Sequence, residues 1–249
     1  MLNIDAIKAF TDNYIWCIND GTNAIVVDPG DANAVIKHLE HKSLKLTAIL
    51  ITHHHNDHIG GVSQLKQLYD IDIYSSIKEI ATHLISDNSL INLNLKTPLK
   101  LKVIAVPGHT LDHLVFYGDN MLFCGDTLFS VGCGRVFEGT YPQMYNSLLK
   151  IKSLDSDTLV YPAHEYTIQN IAFATTIDPD NKALQTRYKE CLALIANNTP
   201  TVPIRLGIEK LTNPFLRCDS LELKLNIGLI ANTPEVEVFT EIRTLRNSF

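Results

Sequence analysis

The run Leu46-Thr47-Ala48-Ile49-Leu50-Ile51-Thr52-His53-His54-His55-Asn56-Asp57-His58-Ile59-Gly60-Gly61 decides how the chain is read. Leu46 to Ile51 is a short apolar run of the kind that forms a buried strand, and Gly61 to Tyr69 carries helical spacing. The polar residues between them sit in a loop at the carboxyl end of a strand, where open α/β sheets place their ligands. His53, His55, His58 and the Asp57 carboxylate fall within six residues, a donor set suited to zinc or iron. With ten His in 249 residues, the H-x-H-x-x-H spacing arises by chance about 0.02 times per chain. His54 lies between two candidates and is expected to point away from them. The alternation suggests that His53 and His55 serve one ion and Asp57 and His58 a second. Each pair is incomplete, so further ligands must come from elsewhere.

Three other strand ends offer them. Val106-Pro107-Gly108-His109, Leu122-Phe123-Cys124-Gly125-Asp126-Thr127 and Tyr161-Pro162-Ala163-His164-Glu165 each follow an apolar run. Strands are expected at Tyr14 to Ile18, Ala24 to Val27, Leu46 to Ile51, Ile71 to Tyr74, Leu101 to Val106, His113 to Tyr117, Met121 to Cys124 and Thr158 to Tyr161. Helices are expected at Asp31 to Leu39, Gly61 to Tyr69 and Tyr141 to Leu149. Strands alternating with helices make a layered α/β domain. After His164 the pattern changes. Leu184, Tyr188, Cys191, Leu192 and Ile195 fall on one helical face, and Leu221 to Ala231 and Val236 to Leu245 read as further helices. Residues 1–165 are therefore expected to form the α/β domain and 166–249 a helical one.

Composition bounds the rest. A chain of 249 residues, 45% hydrophobic and 19% charged, is neither disordered nor fibrous. A net charge of −6 argues against nucleic acid as a partner. No apolar run reaches the roughly 18 residues of a membrane helix, and Met1 to Asp5 lack the charged and apolar regions of a signal peptide. A cytoplasmic protein with no membrane partner is expected. Cys17, Cys124, Cys133, Cys191 and Cys218 form no C-x-x-C pair and are expected in the core. His113 is expected in the core or behind the ligands, His38, His41 and His83 in solvent, and Asp28 in the structure of a loop near the site.

The motif Thr52-His53-x-His55-x-Asp57-His58-x-Gly60-Gly61, together with Asp28-Pro29-Gly30, resembles the signature of the metallo-β-lactamase superfamily. The resemblance implies a four-layer αββα sandwich with a metal site along one edge. Carried over by position, it implies His53, His55 and His109 on one metal, Asp57, His58 and His164 on the other, and Asp126 bridging. It further implies a metal-bound hydroxide, held by Asp57 and Asp126, that attacks a carbonyl or a phosphodiester without a Ser or Cys nucleophile. Because the imidazoles must be neutral and the carboxylates ionised, metal affinity and activity are expected to fall at acid pH.

Within that superfamily, Gly132-Cys133-Gly134-Arg135-Val136-Phe137-Glu138-Gly139-Thr140, His164-Glu165-Tyr166-Thr167 and Asn213-Pro214-Phe215-Leu216-Arg217 resemble segments of glyoxalase II, the hydroxyacylglutathione hydrolases. Asp12-Asn13-Tyr14 also fits. The resemblance implies hydrolysis of S-D-lactoylglutathione to glutathione and D-lactate, the second step of methylglyoxal detoxification. Two divalent ions are implied, zinc first, with iron and manganese also able to fit. Arg135, Phe137, Tyr166 and Arg246 are implied as contacts to the glutathione part. The chain departs from the family pattern in carrying Phe137, without a hydroxyl, and in the ending Arg246-Asn247-Ser248-Phe249, which lacks the family's following Lys. Affinity, not chemistry, is where these departures are expected to act. The chain is expected to work as a monomer. The alternative reading is a glutathione persulfide dioxygenase with a single iron, a relative that lacks the helical appendage. A flavodiiron protein, with Glu in place of His55, and a non-enzymatic metal binder fit less well.

Overall fold

The chain begins with an antiparallel hairpin whose first strand lies outside the sequence expectations. β1 (Asn3–Ala9) pairs with β2 (Asn13–Asn19) from Asn3↔Asn19 to Ala9↔Asn13. The structure is a computed structural model and describes residues 2–249. β1 escapes a periodicity reading because its burial is graded, with only Ile7 and Ala9 fully inside. β3 (Asn23–Val27) joins β2 antiparallel. α1 (Ala32–Lys42) then carries the chain to β4 (Lys45–Leu50), which runs parallel to β3. The Asp31 carboxylate caps α1 by accepting from the N–H groups of Asn33 and Ala34. α2 (Asn56–Ile59) and α3 (Val62–Leu68) lead to β5 (Asp72–Ser75) and β6 (His83–Leu84), completing a six-stranded sheet in the order β1-β2-β3-β4-β5-β6.

Side chains of this sheet divide with period two. Ile15, Cys17, Val26 and Ile49 pack with Val35 and Leu39 of α1 and Leu65 of α3. Trp16, Ile18, Ile25, Val27 and Leu50 point the other way and are equally buried. Strands covered on both faces read as continuous apolar runs, which is why β2, β3 and β4 were visible in the sequence. Each such Leu or Ile contributes about 1.5–3 kcal/mol by leaving water.

β7 (Leu90–Leu93), β8 (Leu99–Ala105), β9 (Leu114–Gly118) and β10 (Met121–Gly125) follow as an antiparallel meander. In β8 the buried Leu99, Leu101 and Val103 alternate with the exposed Lys100 and Lys102. Asp119 and Asn120, at φ 52° and 56°, make the two-residue turn between β9 and β10, a backbone that Asp and Asn tolerate and that matches strand twist. The chain up to Ala105, with Asp112–Gly125, forms one compact unit.

Val106–Leu111 and Asp126–Phe249 form a second unit. Its small hairpin pairs β11 (Leu128–Phe129) with β12 (Gly132–Cys133). α4 (Tyr141–Lys152) opens with a reciprocal cap between Thr140 and Gln143. β13 (Leu159–Pro162), α5 (Thr167–Ile177), α6 (Lys182–Ala196), β14 (Ile204–Arg205), α7 (Leu206–Thr212), α8 (Leu221–Asn226) and α9 (Glu235–Ser248) complete the chain. β14 pairs antiparallel with β13. Val131, Ile171, Ala174, Leu184 and Cys191 make one core cluster of this unit, and Phe215 and Phe239 meet at 5.8 Å in another.

Several expectations change here. The helix expected over Leu221 to Ala231 stops at Asn226, because Gly228 at φ 79° turns the chain. On α6 the inward face is Leu184, Arg187 and Cys191, while Tyr188, Leu192 and Ile195 are exposed. The expected stripe therefore shares Leu184 and Cys191 with the buried face but lies about half a residue step around the helix from it. His38 is not solvated: its Nε2 meets an Asp5 carboxylate oxygen at 3.2 Å. The expected metal loop becomes helical at α2, so Asp57 and His58 lie on a turn of helix. All five Cys are buried and none forms a disulfide. Among the described residues no helix is long and apolar enough to cross a membrane.

Candidate metal centre

Each unit carries a set of candidate metal ligands. The first begins where β4 ends. Asp28, just after β3, is buried at φ 54° and acts as an acceptor for its neighbours. Its carboxylate takes the N–H of Thr52 at 2.7 Å and the Thr52 hydroxyl at 2.7 Å. The His58 Nδ1 lies 3.0 Å from the same carboxylate, and the His53 Nδ1 lies 3.0 Å from Thr52 Oγ1.

These contacts settle tautomers. A carboxylate only accepts, so His58 carries its proton on Nδ1. The Thr52 hydroxyl spends its proton on Asp28, so its lone pair accepts from His53 Nδ1. In its neutral form each ring then presents a bare Nε2, the form a metal requires. The His53 Nε2 lies 3.1 Å from His55 Nδ1, and the His58 Nε2 lies 3.5 Å from an Asp57 oxygen. Asp57 also accepts from the Asn13 amide at 3.0 Å. Gly30 leaves room for this turn, since a Cβ there would lie 1.8 Å from the Asp57 carbonyl oxygen.

His54 turns away, as expected, with its Nδ1 2.9 Å from an Asp112 oxygen. His113 is fully buried and stacks on His53 with ring centroids 4.6 Å apart and planes at 15°, in keeping with a place behind the ligands. Asp28 structures the loop as expected. Asn13 and Asp112 were not foreseen as partners; only the Asp12-Asn13-Tyr14 motif pointed near the first.

The second group hangs on Asp126. One oxygen of its carboxylate lies 3.4 Å from His109 Nε2 and the other 3.4 Å from His164 Nε2. All three residues are buried. The His109 Nδ1 donates to the Arg135 carbonyl at 2.8 Å, which again leaves Nε2 bare. The backbone N–H groups of Phe137 and Glu138 donate to the His109 carbonyl at 3.2 and 3.3 Å. The Gly132-to-Thr140 segment thus wraps the loop that carries His109. Gly134 is required at its closest approach, because a Cβ there would lie 1.9 Å from the Asp126 carbonyl oxygen. His164 stacks on Tyr166 at 4.7 Å and 10°, with the Phe129 ring set edge-on to both.

Of the expected substrate contacts, Arg135 is exposed with its guanidinium 5.5 Å from the Phe137 ring centre, and Phe137 also meets His109 edge-on at 5.2 Å. Arg246 lies apart from these in its contacts, held between Phe173 and Phe249 at 5.7 and 5.8 Å. Burial, and then the nearby Arg243, lower its guanidinium below the usual value.

The donor sets fit divalent metal. Neighbouring ligands on a tetrahedral ion with bonds near 2.0–2.1 Å lie about 3.3 Å apart, and the ligand-type pairs within each group are 3.1–3.5 Å apart. Oxygen partners on the far ring nitrogens of His53, His58 and His109 match the pattern of metal-bound histidines.

Strand-end histidines and carboxylates on mixed α/β sheets define the metallo-β-lactamase superfamily, whose family model matches residues 10–86 and 86–164. A second family model, described as "Hydroxyacylglutathione hydrolase C-terminus", matches residues 165–249. The hydroxyacylglutathione hydrolase of Photobacterium profundum is 46% identical over 256 residues, covering 100% of both chains. That of Nitrosomonas eutropha is 42% identical over 256 residues, again covering 100% of both. The crystal structure of BLEG-1 B3 metallo-β-lactamase gives a TM-score of 0.63 at 24% identity, covering 87% of this chain and 99% of that one, a likeness of fold alone. The chain belongs to the hydroxyacylglutathione hydrolase family. Its C-terminal match favours the hydrolase over the persulfide dioxygenase alternative.

Proposed function

We propose that the chain hydrolyses S-D-lactoylglutathione and related 2-hydroxyacyl thioesters to glutathione and the hydroxy acid, D-lactate in the first case. Support for this substrate comes from the full-length likeness to hydroxyacylglutathione hydrolases, the C-terminal segment included. The observation that carries the chemistry is the Asp126 carboxylate, with the His109 Nε2 3.4 Å from one oxygen and the His164 Nε2 3.4 Å from the other. One carboxylate placed between two imidazoles suits a bridge between two ions.

In this reading His53, His55 and His109 would hold one divalent ion, Asp57, His58 and His164 would hold the other, and Asp126 would serve as a ligand to both. When bound, such ions supply a Lewis acid and bring the pKa of water toward neutrality. The protein's own part is orientation. Asp28 and Thr52 keep protons on the far nitrogens of His58 and His53, and the Arg135 carbonyl does so for His109. The Arg135 and Arg246 guanidinium groups give charge-assisted hydrogen bonds to glutathione carboxylates. Tyr166 and Phe137 offer ring faces. A thiolate leaves readily, so no strong acid is needed from the chain. Zinc is the first choice of metal by ligand type, with iron or manganese able to fit the same donors.

Residues 1–165 form the catalytic domain in this reading and 166–249 the glutathione-binding one, a division supported by the C-terminal family match. The enzyme acts as a cytoplasmic monomer on a small molecule. The test follows loss of thioester absorbance with S-D-lactoylglutathione and counts metal on the same sample. Hydrolysis that falls at least about 100-fold in His53→Ala and Asp126→Ala, with cooperative melting retained, is the expected result. Equal rates in both variants and the parent would refute the assignment.

A further inference from the structure

Val131 stands out in the backbone. It is a β-branched residue at φ 57°, a conformation such side chains avoid. It occupies the two-residue turn Ser130-Val131 between β11 and β12, where Gly or Asn would relieve the strain. Strain of this kind persists only where the surroundings hold it in place.

Those surroundings are a buried ion pair. Arg187 of α6 and Glu209 of α7 meet at 2.5 Å, with side-chain exposures of 3% and 0%. Each also grips the turn. The Glu209 carboxylate accepts from the Val131 N–H at 3.0 Å, and Arg187 donates to the Ser130 hydroxyl at 2.9 Å. The hairpin so held runs directly from Asp126 at one end to Gly134 and Arg135 at the other, tied across by a Gly134 N–H bond to the Thr127 carbonyl at 3.1 Å. Arg135 supplies the carbonyl that orients His109.

We propose that Arg187 and Glu209 are positioning residues for the metal centre. By locking the Ser130-Val131 turn they set where Asp126 stands and which nitrogen of His109 is bare. Stability alone does not call for such a pair, since well-packed apolar residues often replace a buried ion pair without loss. The inference rests on the ligand assignment proposed above, and the experiment separates the two.

The apo protein, the parent and His109→Ala, is first titrated with Zn²⁺ against a chromophoric chelator. Equal affinities would refute the ligand assignment itself. With that difference in hand, Arg187→Met/Glu209→Leu and the milder Glu209→Gln are titrated in the same way, with thermal melting recorded. In parallel, long-range ¹H–¹⁵N spectra of the apo protein report the His109 tautomer. The double variant is expected to melt cooperatively near the parent, bind zinc about tenfold more weakly, and show His109 divided between tautomers. Glu209→Gln is expected to lie between. Parent-like zinc affinity and a single Nδ1–H tautomer in the double variant would overturn the proposal. Loss of cooperative melting in both variants would also overturn it, assigning the pair to global stability.

Discussion

Asp28 shows how much of the candidate centre depends on a residue outside the proposed ligand set. Its two oxygens serve a backbone N–H, a hydroxyl and an imidazole. Asp28→Asn keeps the left-handed backbone, which Asn tolerates, and so isolates the chemistry. One oxygen remains for the Thr52 N–H, and an amide NH₂ replaces the other. Two donors would then face each other at His58, forcing its proton to Nε2. Zinc affinity is expected to fall about 10- to 100-fold with little change in melting; equilibrium competition with a chelator checks it, and an unchanged affinity contradicts the tautomer argument. The candidate ligands were legible in the sequence because metal chemistry demands particular residues at short spacing. The partners were not. Asn13 reaches Asp57 across 44 positions, and no local pattern records such a pairing.

Elements were legible where one physical cause dominated. β2, β3 and β4 announced themselves through burial on both faces, and α4 through its spacing. Thr140→Ala is expected to cost about 1 kcal/mol of stability with kcat unaltered, read by urea unfolding and steady-state kinetics. α5 was missed because its apolar residues surround the helix and leave no single stripe. The face of α6 was misplaced because a charged residue, Arg187, occupies the inside. Asn213 of the C-terminal motif and Arg243 of α9 turn out to support a hairpin. The Asn213 amide donates to the Phe129 and Gly132 carbonyls at 3.2 and 2.9 Å, and Arg243 donates to the Cys133 carbonyl at 2.9 Å. Asn213→Ala would strand buried acceptors and is expected to destabilise by about 2–3 kcal/mol. An unfolding midpoint equal to the parent's would count against that role.

At the scale of the molecule, the buried thiols tie stability to alkaline pH. Burial, and then the Asp5 charge, push Cys17 up to about 12. Burial is also the leading cause that raises Cys133, Cys191 and Cys218. A thiol whose folded pKa is raised contributes stability that is fully present below its unfolded value, about 8.5. That contribution is lost as pH rises toward the folded value. Native protein at pH 8 is expected to resist a thiol reagent that labels every Cys once unfolded. Cys17→Ala is expected to lessen the fall in stability between pH 8 and 11. Fold class and family were legible from spaced motifs spread along the whole chain, whereas Arg246's place between two rings depends on packing that no motif encodes.

The proposed thioester hydrolysis needs two metal ions per chain. The most direct measurement titrates Zn²⁺ into apo protein while S-D-lactoylglutathione absorbance is followed at each addition. Hydrolysis is expected to rise to a plateau at two equivalents and to be absent in Asp126→Ala. A sample that holds two ions per chain and leaves the thioester intact would contradict the claim, and oxygen uptake with glutathione persulfide by an iron-loaded sample would turn the reading to the dioxygenase.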